Sequence, residues 1–252
     1  MLWNKEEEVF KKEDETLDSF YHGKILILQK KKGYRFSVDA PLLADFIVTH
    51  ENEELLELGT GCGVISLLLS IKPFKRIIAL EIQDSLVDLA IRNVKLNNLE
   101  HKINVLHQDF CTFNPGKKFD VIFSNPPYEK RGSGVLSPNR EKAIARHEIY
   151  CDLNSVFQTT VRLLKKEGRA YFIYPAKREK DFKEYLSRTE LKLSKIRYVI
   201  PRRDERPNLF LVELNFHSDS CKILSPLIIY KNDEYTDEMK RIFAGRKNAE
   251  VN

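Results

Sequence analysis

The chain has 252 residues, 42% of them hydrophobic and 31% charged, a balance that suits a packed globular protein and excludes a disordered one. A formal net charge of +5 tolerates a polyanionic partner without requiring one. No apolar run reaches bilayer length, and the polar start MLWNKEEEVFKKEDE lacks the apolar segment of a signal peptide, so a cytoplasmic protein without membrane association is expected.

In chain order, the first dozen residues are expected to fray. Lys24 to Gln29 and Tyr34 to Ser37 read as two short strands around a basic turn, Lys30 to Gly33. Ala40 to His50 reads as a helix with Leu42, Leu43, Phe46 and Ile47 on one face. Leu55 to Leu58 is a short apolar strand, followed by a glycine-rich turn and a helix over Val64 to Ser70. Arg76 to Glu81 is a second buried strand, and Asp84 to Asn97 a helix turning Leu86, Leu89, Ala90 and Val94 inward. Ile103 to His107 and Phe119 to Ser124 continue the series. Leu153 to Lys166 reads as a helix stopped by Gly168, with a strand over Arg169 to Tyr174 after it. Lys192 to Ile200 and Asn208 to Phe216 are spaced for a hairpin at one edge. Strands alternating with amphipathic helices predict an α/β fold, its mostly parallel sheet covered on both faces and carrying an antiparallel edge hairpin. No internal repeat interrupts the pattern. One domain is expected, with residues 1–50 as a small N-terminal extension (hairpin plus helix) of a body spanning 51–245.

Glu57-Leu58-Gly59-Thr60-Gly61-Cys62-Gly63 lies between the first strand of that series and its helix. In open α/β sheets, ligands bind outside the carboxyl ends of the strands at the topological switch point, and glycines there let the backbone approach a ligand closely. A dinucleotide fingerprint would place Gly at position 64, which is Val. Glu81 ends the next strand, with Ile82 beside it; a strand-end Glu can simply be solvated, but the glycine turn upstream favours an acid that accepts from both hydroxyls of a ribose. Asp109-Phe110 follows the third strand, either as an adenine-holding pair or as a turn Asp beside a core Phe. Cys62, Cys111, Cys151 and Cys221 have no CxxC spacing, so neither a disulfide framework nor a metal site is expected.

Asn125-Pro126-Pro127-Tyr128 leaves the fourth strand directly. Two prolines fix φ and remove two N–H donors, leaving a stiff turn with outward carbonyls. The Asn125 side-chain oxygen and the Pro126 carbonyl can each accept one N–H of a planar NH2 group, favouring its pyramidalisation as the nitrogen attacks. Tyr128 offers a face on which a base or amide can stack. With an activated donor, placement and hydrogen bonding suffice for the chemistry.

The G-x-G-x-G turn with an acid two residues before it resembles motif I of class I methyltransferases, whose cofactor is S-adenosylmethionine. More specifically, GYRFSVDA (33–40), LELGTGCG, ALEIQ, RNVKLNN, FSNPPY, KAIARHE (142–148), LLKKEGRAYFIYP and PLIIY (226–230) resemble the bacterial tRNA adenine-N6 methyltransferases that act on A37 of valine tRNA. The likeness runs from about Asp18 to about Thr236. It implies a Rossmann-like, mostly parallel seven-stranded sheet and a tRNA substrate, with no metal and no obligate protein partner, as a monomer or weak dimer. It also implies that Phe36, Ser37 and Asp39 close the cofactor pocket and that Glu57, Gly59, Thr60, Gly61 and Gly63 form its floor. Glu81 and Ile82 would then meet the ribose, Asp109 and Phe110 the adenine, and Asn125 both cofactor and target. Asn125, Pro126, Pro127 and Tyr128 would grip a flipped-out adenine, which costs least to extrude from a loop.

Tract Lys30, Lys31 and Lys32, together with Arg131, Arg140, Arg146, His147, Arg202, Arg203 and Arg206, would meet RNA phosphates. Each basic cluster taken alone is more simply a solvated surface. Arg146 and His147, in a segment opened by Gly132-Ser133-Gly134, fit either a lid over RNA or a structural loop.

Other readings make distinct demands. Glutamine methyltransferases of release factors share NPPY but carry a helical domain of several dozen residues before motif I, whereas 56 residues precede Glu57 here. A ribosomal RNA amino-methyltransferase shares the chemistry. A non-catalytic RNA-binding protein predicts a damaged turn or tetrad, and both are intact. A nicotinamide-dependent oxidoreductase leaves the tetrad unexplained.

Overall fold

The computed structural model describes residues 10–32, 35, 37–126 and 153–245. Strands β1 (Glu15–Phe20) and β2 (Ile25–Lys30) form an antiparallel ladder running from Glu15 opposite Lys30 to Phe20 opposite Ile25. The hairpin therefore precedes the basic run instead of bracketing it. Arg35 and Ser37 lie outside any strand, while Gly33, Tyr34 and Phe36 fall outside the described residues. The true turn places Tyr21, His22 and Gly23 at φ 55°, 57° and 85°. Left-handed backbone is unfavourable at Tyr and His, and packing near the C-terminal end overrides that preference. The Tyr21 ring is buried against Gly245, where an added Cβ would come within 2.6 Å of it, and its N–H donates to Phe243 O at 3.3 Å.

Helix α1 (Asp39–Phe46) is shorter than its apolar pattern, because Ile47 turns to an extended ψ of 125°. There follow β3 (Glu54–Leu58), α2 (Val64–Leu69), β4 (Arg76–Glu81), α3 (Asp84–Leu96), β5 (Ile103–His107) and β6 (Phe119–Ser124). Helix α4 (Leu153–Leu163) ends before the expected Lys166, and β7 (Leu164–Pro175) starts at once. Gly168 is thus no helix stop but part of an irregularity in β7, where pairing with β6 jumps from Phe119–Leu164 to Val121–Arg169. A Cβ on Gly168 would meet Leu164 Cδ1 at 2.7 Å and Asp120 O at 3.0 Å, so a close backbone approach selects Gly there. After α5 (Glu179–Leu186), β8 (Lys192–Ile200) and β9 (Leu209–Asn215) form the expected hairpin. Short strands β10 (Lys222–Ile223), β11 (Leu227–Ile228), β12 (Tyr230–Lys231) and β13 (Glu234–Tyr235) lead to α6 (Asp237–Ala244).

The main sheet runs β10-β8-β9-β7-β6-β3-β4-β5, with β11 also paired to β8. Its long strands number seven, as expected, and the dipeptide strands β10 and β11 bring the total to nine. Only β9 opposes its neighbours β7 and β8. Alternation along the strands splits the core in two. Leu55, Val121, Tyr171 and Ile173 face α1, α2, α3, α6 and the hairpin. Leu56, Phe119, Phe172 and Tyr174 face α4 and α5. In that second layer the Phe182 ring contacts Phe157, Phe172, Tyr174 and Phe210 at centroid distances of 5.0–6.4 Å.

Two asparagines of the α3 segment tie the hairpin to that helix, and a third closes it. Asn93 Oδ1 accepts from Leu28 N–H (2.7 Å), and its Nδ2 donates to Leu28 O (3.0 Å) and Cys62 O (2.8 Å). Asn97 repeats the pattern one helical turn on, accepting from Leu26 N–H (2.9 Å) and donating to Leu26 O (2.7 Å). Residues 26 and 28 point their backbone groups the same way, so two side chains four apart on a helix stand in for a neighbouring strand. Asn98 adopts φ 55° and closes α3, its N–H on Lys95 O (3.0 Å) and that of Leu99 on Val94 O (3.0 Å).

Candidate active site

Strand order reverses at β3, which has β4 on one side and β6 on the other. At the carboxyl ends of these strands the structure brings together the turn Gly59–Gly63, Glu81 and Asn125-Pro126. Gly59, Gly61 and Gly63 have φ of 71°, 59° and 84°, a region that strains any other residue. At Gly59 an added Cβ would have no atom within 4 Å, so the missing side chain leaves an open cradle above the turn. Thr60 N–H donates to Leu80 O (2.8 Å) and Gly63 N–H to Thr60 O (2.9 Å), tying the turn to β4.

Two buried acids stand beneath it. Glu81, 6% exposed, receives Gly61 N–H on Oε2 at 2.8 Å and the N–H groups of Ile82 and Gln83 on Oε1 at 2.9 and 3.0 Å. Burial raises its pKa and these backbone donors offset part of the rise. Glu57, 1% exposed, takes the hydroxyls of Thr60 and Ser66 on Oε2. Its Oε1 is buried with no hydrogen-bond partner among the described residues. Burial pushes its carboxyl up to about 7, against the two hydroxyl donors and with Glu81 adding to the rise.

Ile82 is 39% exposed at the rim. Asp109 lies two residues beyond β5, its Oδ1 accepting from Cys111 N–H at 2.8 Å, and Phe110 is partly buried against the α4 layer. Arg162 of α4, which sequence reasoning missed, holds this loop. Its guanidinium donates to Phe113 O and, at 3.1 Å each, to Phe110 O and Cys111 O. No sequence signal marks it, because the partners lie 49 to 52 residues away.

Ser124 Oγ donates to Leu58 O at 2.7 Å, locking the end of β6 to the end of β3. That bond sets Asn125 and the buried Pro126 beside the glycine turn. Ser37 is exposed just before α1, and Asp39 is buried in its first turn. Phe36, Pro127, Tyr128, Arg131, Arg140, Arg146 and His147 lie outside the described residues. Lys31 and Lys32 are exposed and Lys30 partly so, at the end of β2, while exposed Arg202, Arg203 and Arg206 sit between β8 and β9. Among the described residues no group of three or more His, Cys, Asp or Glu could hold a metal ion, and no helix is long and apolar enough to cross a membrane.

Residues 35–199 match the model of the methyltransferase small domain. The chain is also 30% identical over 204 residues to the tRNA1(Val) (adenine(37)-N6)-methyltransferase of Phocaeicola vulgatus, covering 81% of this chain and 86% of that relative. The chain belongs to this methyltransferase family. The relative of the same description in Bacteroides thetaiotaomicron is 27% identical over 225 residues, covering 88% of this chain and 94% of its own. Among solved structures, an Agrobacterium tumefaciens protein crystallised as a predicted O-methyltransferase superposes with a TM-score of 0.63 at 17% identity, covering 82% of this chain and 96% of that one. The sheet is accordingly the Rossmann-like sheet of class I methyltransferases.

Proposed function

We propose that this enzyme transfers a methyl group from S-adenosylmethionine to N6 of adenine 37 in the anticodon loop of a valine tRNA. One observation carries the reading: the glycine turn and Asn125-Pro126 meet at the switch point of the sheet, bound through Ser124 and Leu58. The likeness to tRNA1(Val) adenine-37 methyltransferases over more than four-fifths of the chain supports the substrate.

The residues present fit the cofactor. The open cradle at Gly59 admits a ligand close to the backbone. The unpartnered Glu57 Oε1 is an acceptor that a buried site ordinarily satisfies. Gly59, Thr60, Gly61 and Gly63 would line the floor, Glu81 and Ile82 the ribose, Asp109 and Phe110 the adenine, with Phe36, Ser37 and Asp39 closing the other end. Glu81 already holds three N–H donors, yet a carboxylate has about four lone-pair sites and can still accept from one ribose hydroxyl. Once bound, S-adenosylmethionine supplies a methyl group activated by its sulfonium. Asn125 Oδ1 and Pro126 O then accept the two N–H groups of the target amine, drawing its lone pair out of conjugation and aiming it. Pro127 stiffens that turn and Tyr128 stacks on the base. On this reading Lys30–Lys32, Arg131, Arg140, Arg146, His147, Arg202 and Arg203 meet tRNA phosphates. The enzyme acts in the cytoplasm without a metal or an obligate protein partner, and residues 1–50 form an extension of its single domain.

The test is transfer of labelled methyl to total tRNA, followed by nucleoside analysis. N6-methyladenosine in valine tRNA is expected. Label in a release factor, or in ribosomal RNA with none in tRNA, overturns the substrate.

A further inference from the structure

An open surface depression of about 420 Å³ lies between the β1–β2 hairpin, the start of α1 and the C-terminal elements β13 and α6. None of its lining residues belongs to the glycine turn, but Ser37, placed above at the far end of the cofactor pocket, lines it together with Val38 and with Pro41 of α1, and α1 packs against α2 behind that turn. Three rings, Phe20, Tyr235 and Phe243, make its apolar wall. Tyr235 is 39% exposed, lies 5.0 Å from Phe243 and stacks on Tyr230 at 5.1 Å with 19° between planes. The Arg202 guanidinium stands over the Tyr230 ring at 5.6 Å. The polar part of the lining is Asp18, Gln29 and Arg35. Gln29 Nε2 donates to Asp18 Oδ2, and Arg35 Nη1 donates to Thr16 Oγ1 (2.9 Å) and Lys30 O (3.0 Å).

These linings select a class of ligand. A lipid tail has no use for a wall bearing a carboxylate, an amide and a guanidinium. A small anion would be drawn to Arg35 and repelled by Asp18 at the same spot. A nucleobase suits both parts of the lining, because every base offers a π face to aromatic rings and an edge carrying donors and acceptors. Asp18 Oδ2 also accepts from Thr16 Oγ1 (3.4 Å) and pairs with Arg35 Nη2 (3.5 Å), yet with about four lone-pair sites and five donors respectively each keeps capacity beyond these bonds. The position agrees: the cavity lies between exposed basic residues, Arg35 of its own lining with Lys31 and Lys32 nearby in the chain on one side and Arg202, through Tyr230 and Tyr235, on the other.

We propose that this cavity receives an unstacked base of the tRNA other than the methylated adenine, a second recognition point that sets which loop the enzyme accepts. The proposal rests on tRNA being the substrate. It gives the aromatic C-terminal hairpin and the mixed Asp18–Arg35 wall a common task that neither the cofactor nor the target adenine assigns them.

The test uses the full chain and valine tRNA assembled from synthetic halves, with single anticodon-loop nucleotides made abasic in turn. Affinity is measured with S-adenosylhomocysteine bound. Base–aromatic stacking of about 1–3 kcal/mol predicts that, for wild type, removing one particular loop base other than the target weakens binding by roughly 5- to 150-fold. In Tyr235→Ala that same removal should cost almost nothing, while affinity for S-adenosylhomocysteine stays at the wild-type value. Ser19→Trp, which plugs the cavity from an exposed position, should behave alike and serves if Tyr235→Ala fails to fold. If every base removal costs both variants as much as it costs wild type, the cavity takes no base and the proposal falls. Wild-type enzyme that methylates no tRNA overturns the function reading and the cavity with it; methylation of tRNA with an unchanged cycle overturns the cavity alone.

Discussion

At β3 and β4 the carboxyl end of the sheet is held by hydrogen bonds converging on two buried carboxylates, with Thr60 and Ser66 on Glu57 and the backbone of Gly61, Ile82 and Gln83 on Glu81. Around β6, β7 and β9 the support is a cluster of rings, Phe157, Phe172, Tyr174 and Phe210, packed about Phe182. A polar network fixes where a ligand's hydroxyls must go, and it makes the local charge state part of the fold. An aromatic layer fixes a backbone and is indifferent to pH. Cofactor affinity and pH dependence should therefore belong to the first region, and bulk stability and the placement of Asn125 to the second. Substitutions that move the wrong property would break this division.

The largest effect is expected in the aromatic layer. Phe182 is 1% exposed and touches four rings, so Phe182→Ala should cost about 3–5 kcal/mol in urea unfolding through the cavity left behind. Cofactor affinity of the fraction still folded should be unchanged. A large loss of that affinity would show the two regions to be one.

Next comes Asn125, which leaves the aromatic-backed strand but works at the polar end. On the proposed reading Asn125→Ala removes one of two acceptors for the target amine, and turnover should fall on the order of 10²–10³-fold, by analogy with loss of one polarising group elsewhere. Calorimetry should find cofactor binding nearly intact, since the glycine turn and Glu81 remain. Loss of binding in step with turnover would move Asn125 from the target's site to the cofactor's.

Glu57 tests the polar side by pH. Its carboxyl titrates at about 7 in the fold against an ordinary 4.5, so between those values unfolding releases a proton. The stability this group allows is full below pH 4.5 and is lost as pH rises through 7, a decline of about 3 kcal/mol at 1.36 kcal/mol per unit. Glu57→Gln should lack that decline. Glu81 is raised as well and stays in the variant, so the quantity to follow is the difference between the two proteins from pH 4.5 to 8. A constant difference would mean that Glu57 is ionised throughout.

The same division tracks what could be read from the chain. Bounds of β4, β5 and β6 match their apolar runs residue for residue, because short apolar strands bounded by turn residues leave a local signature. The glycine turn and Asn125-Pro126 were locatable because ligand position in an open sheet follows from strand order. The failures are tertiary. Tyr21 and His22 take left-handed backbone because Gly245 and Phe243 pack there, over two hundred residues away, so the hairpin was expected around Lys30–Gly33. Gly168 reads as a helix stop until the closeness of Leu164 and Asp120 O is seen.

Arg162 is the sharpest case of illegibility and yields the smallest effect. It belongs to α4 in the aromatic layer yet holds the 110–113 loop that follows Asp109, so it ties that layer to the loop beside the candidate cofactor site. A guanidinium fork can serve three carbonyls at once and an ammonium cannot match its geometry. Arg162→Ala should weaken cofactor binding about tenfold, equivalent to about 1.4 kcal/mol, with the rate at saturating cofactor kept and Arg162→Lys restoring little. If Arg162 acts by placing Asp109 and Phe110, its effect should vanish in an Asp109→Ala background, since residues in one network are not additive. A tenfold loss that persists there would show that the loop, and not the adenine contact at Asp109, is what Arg162 serves.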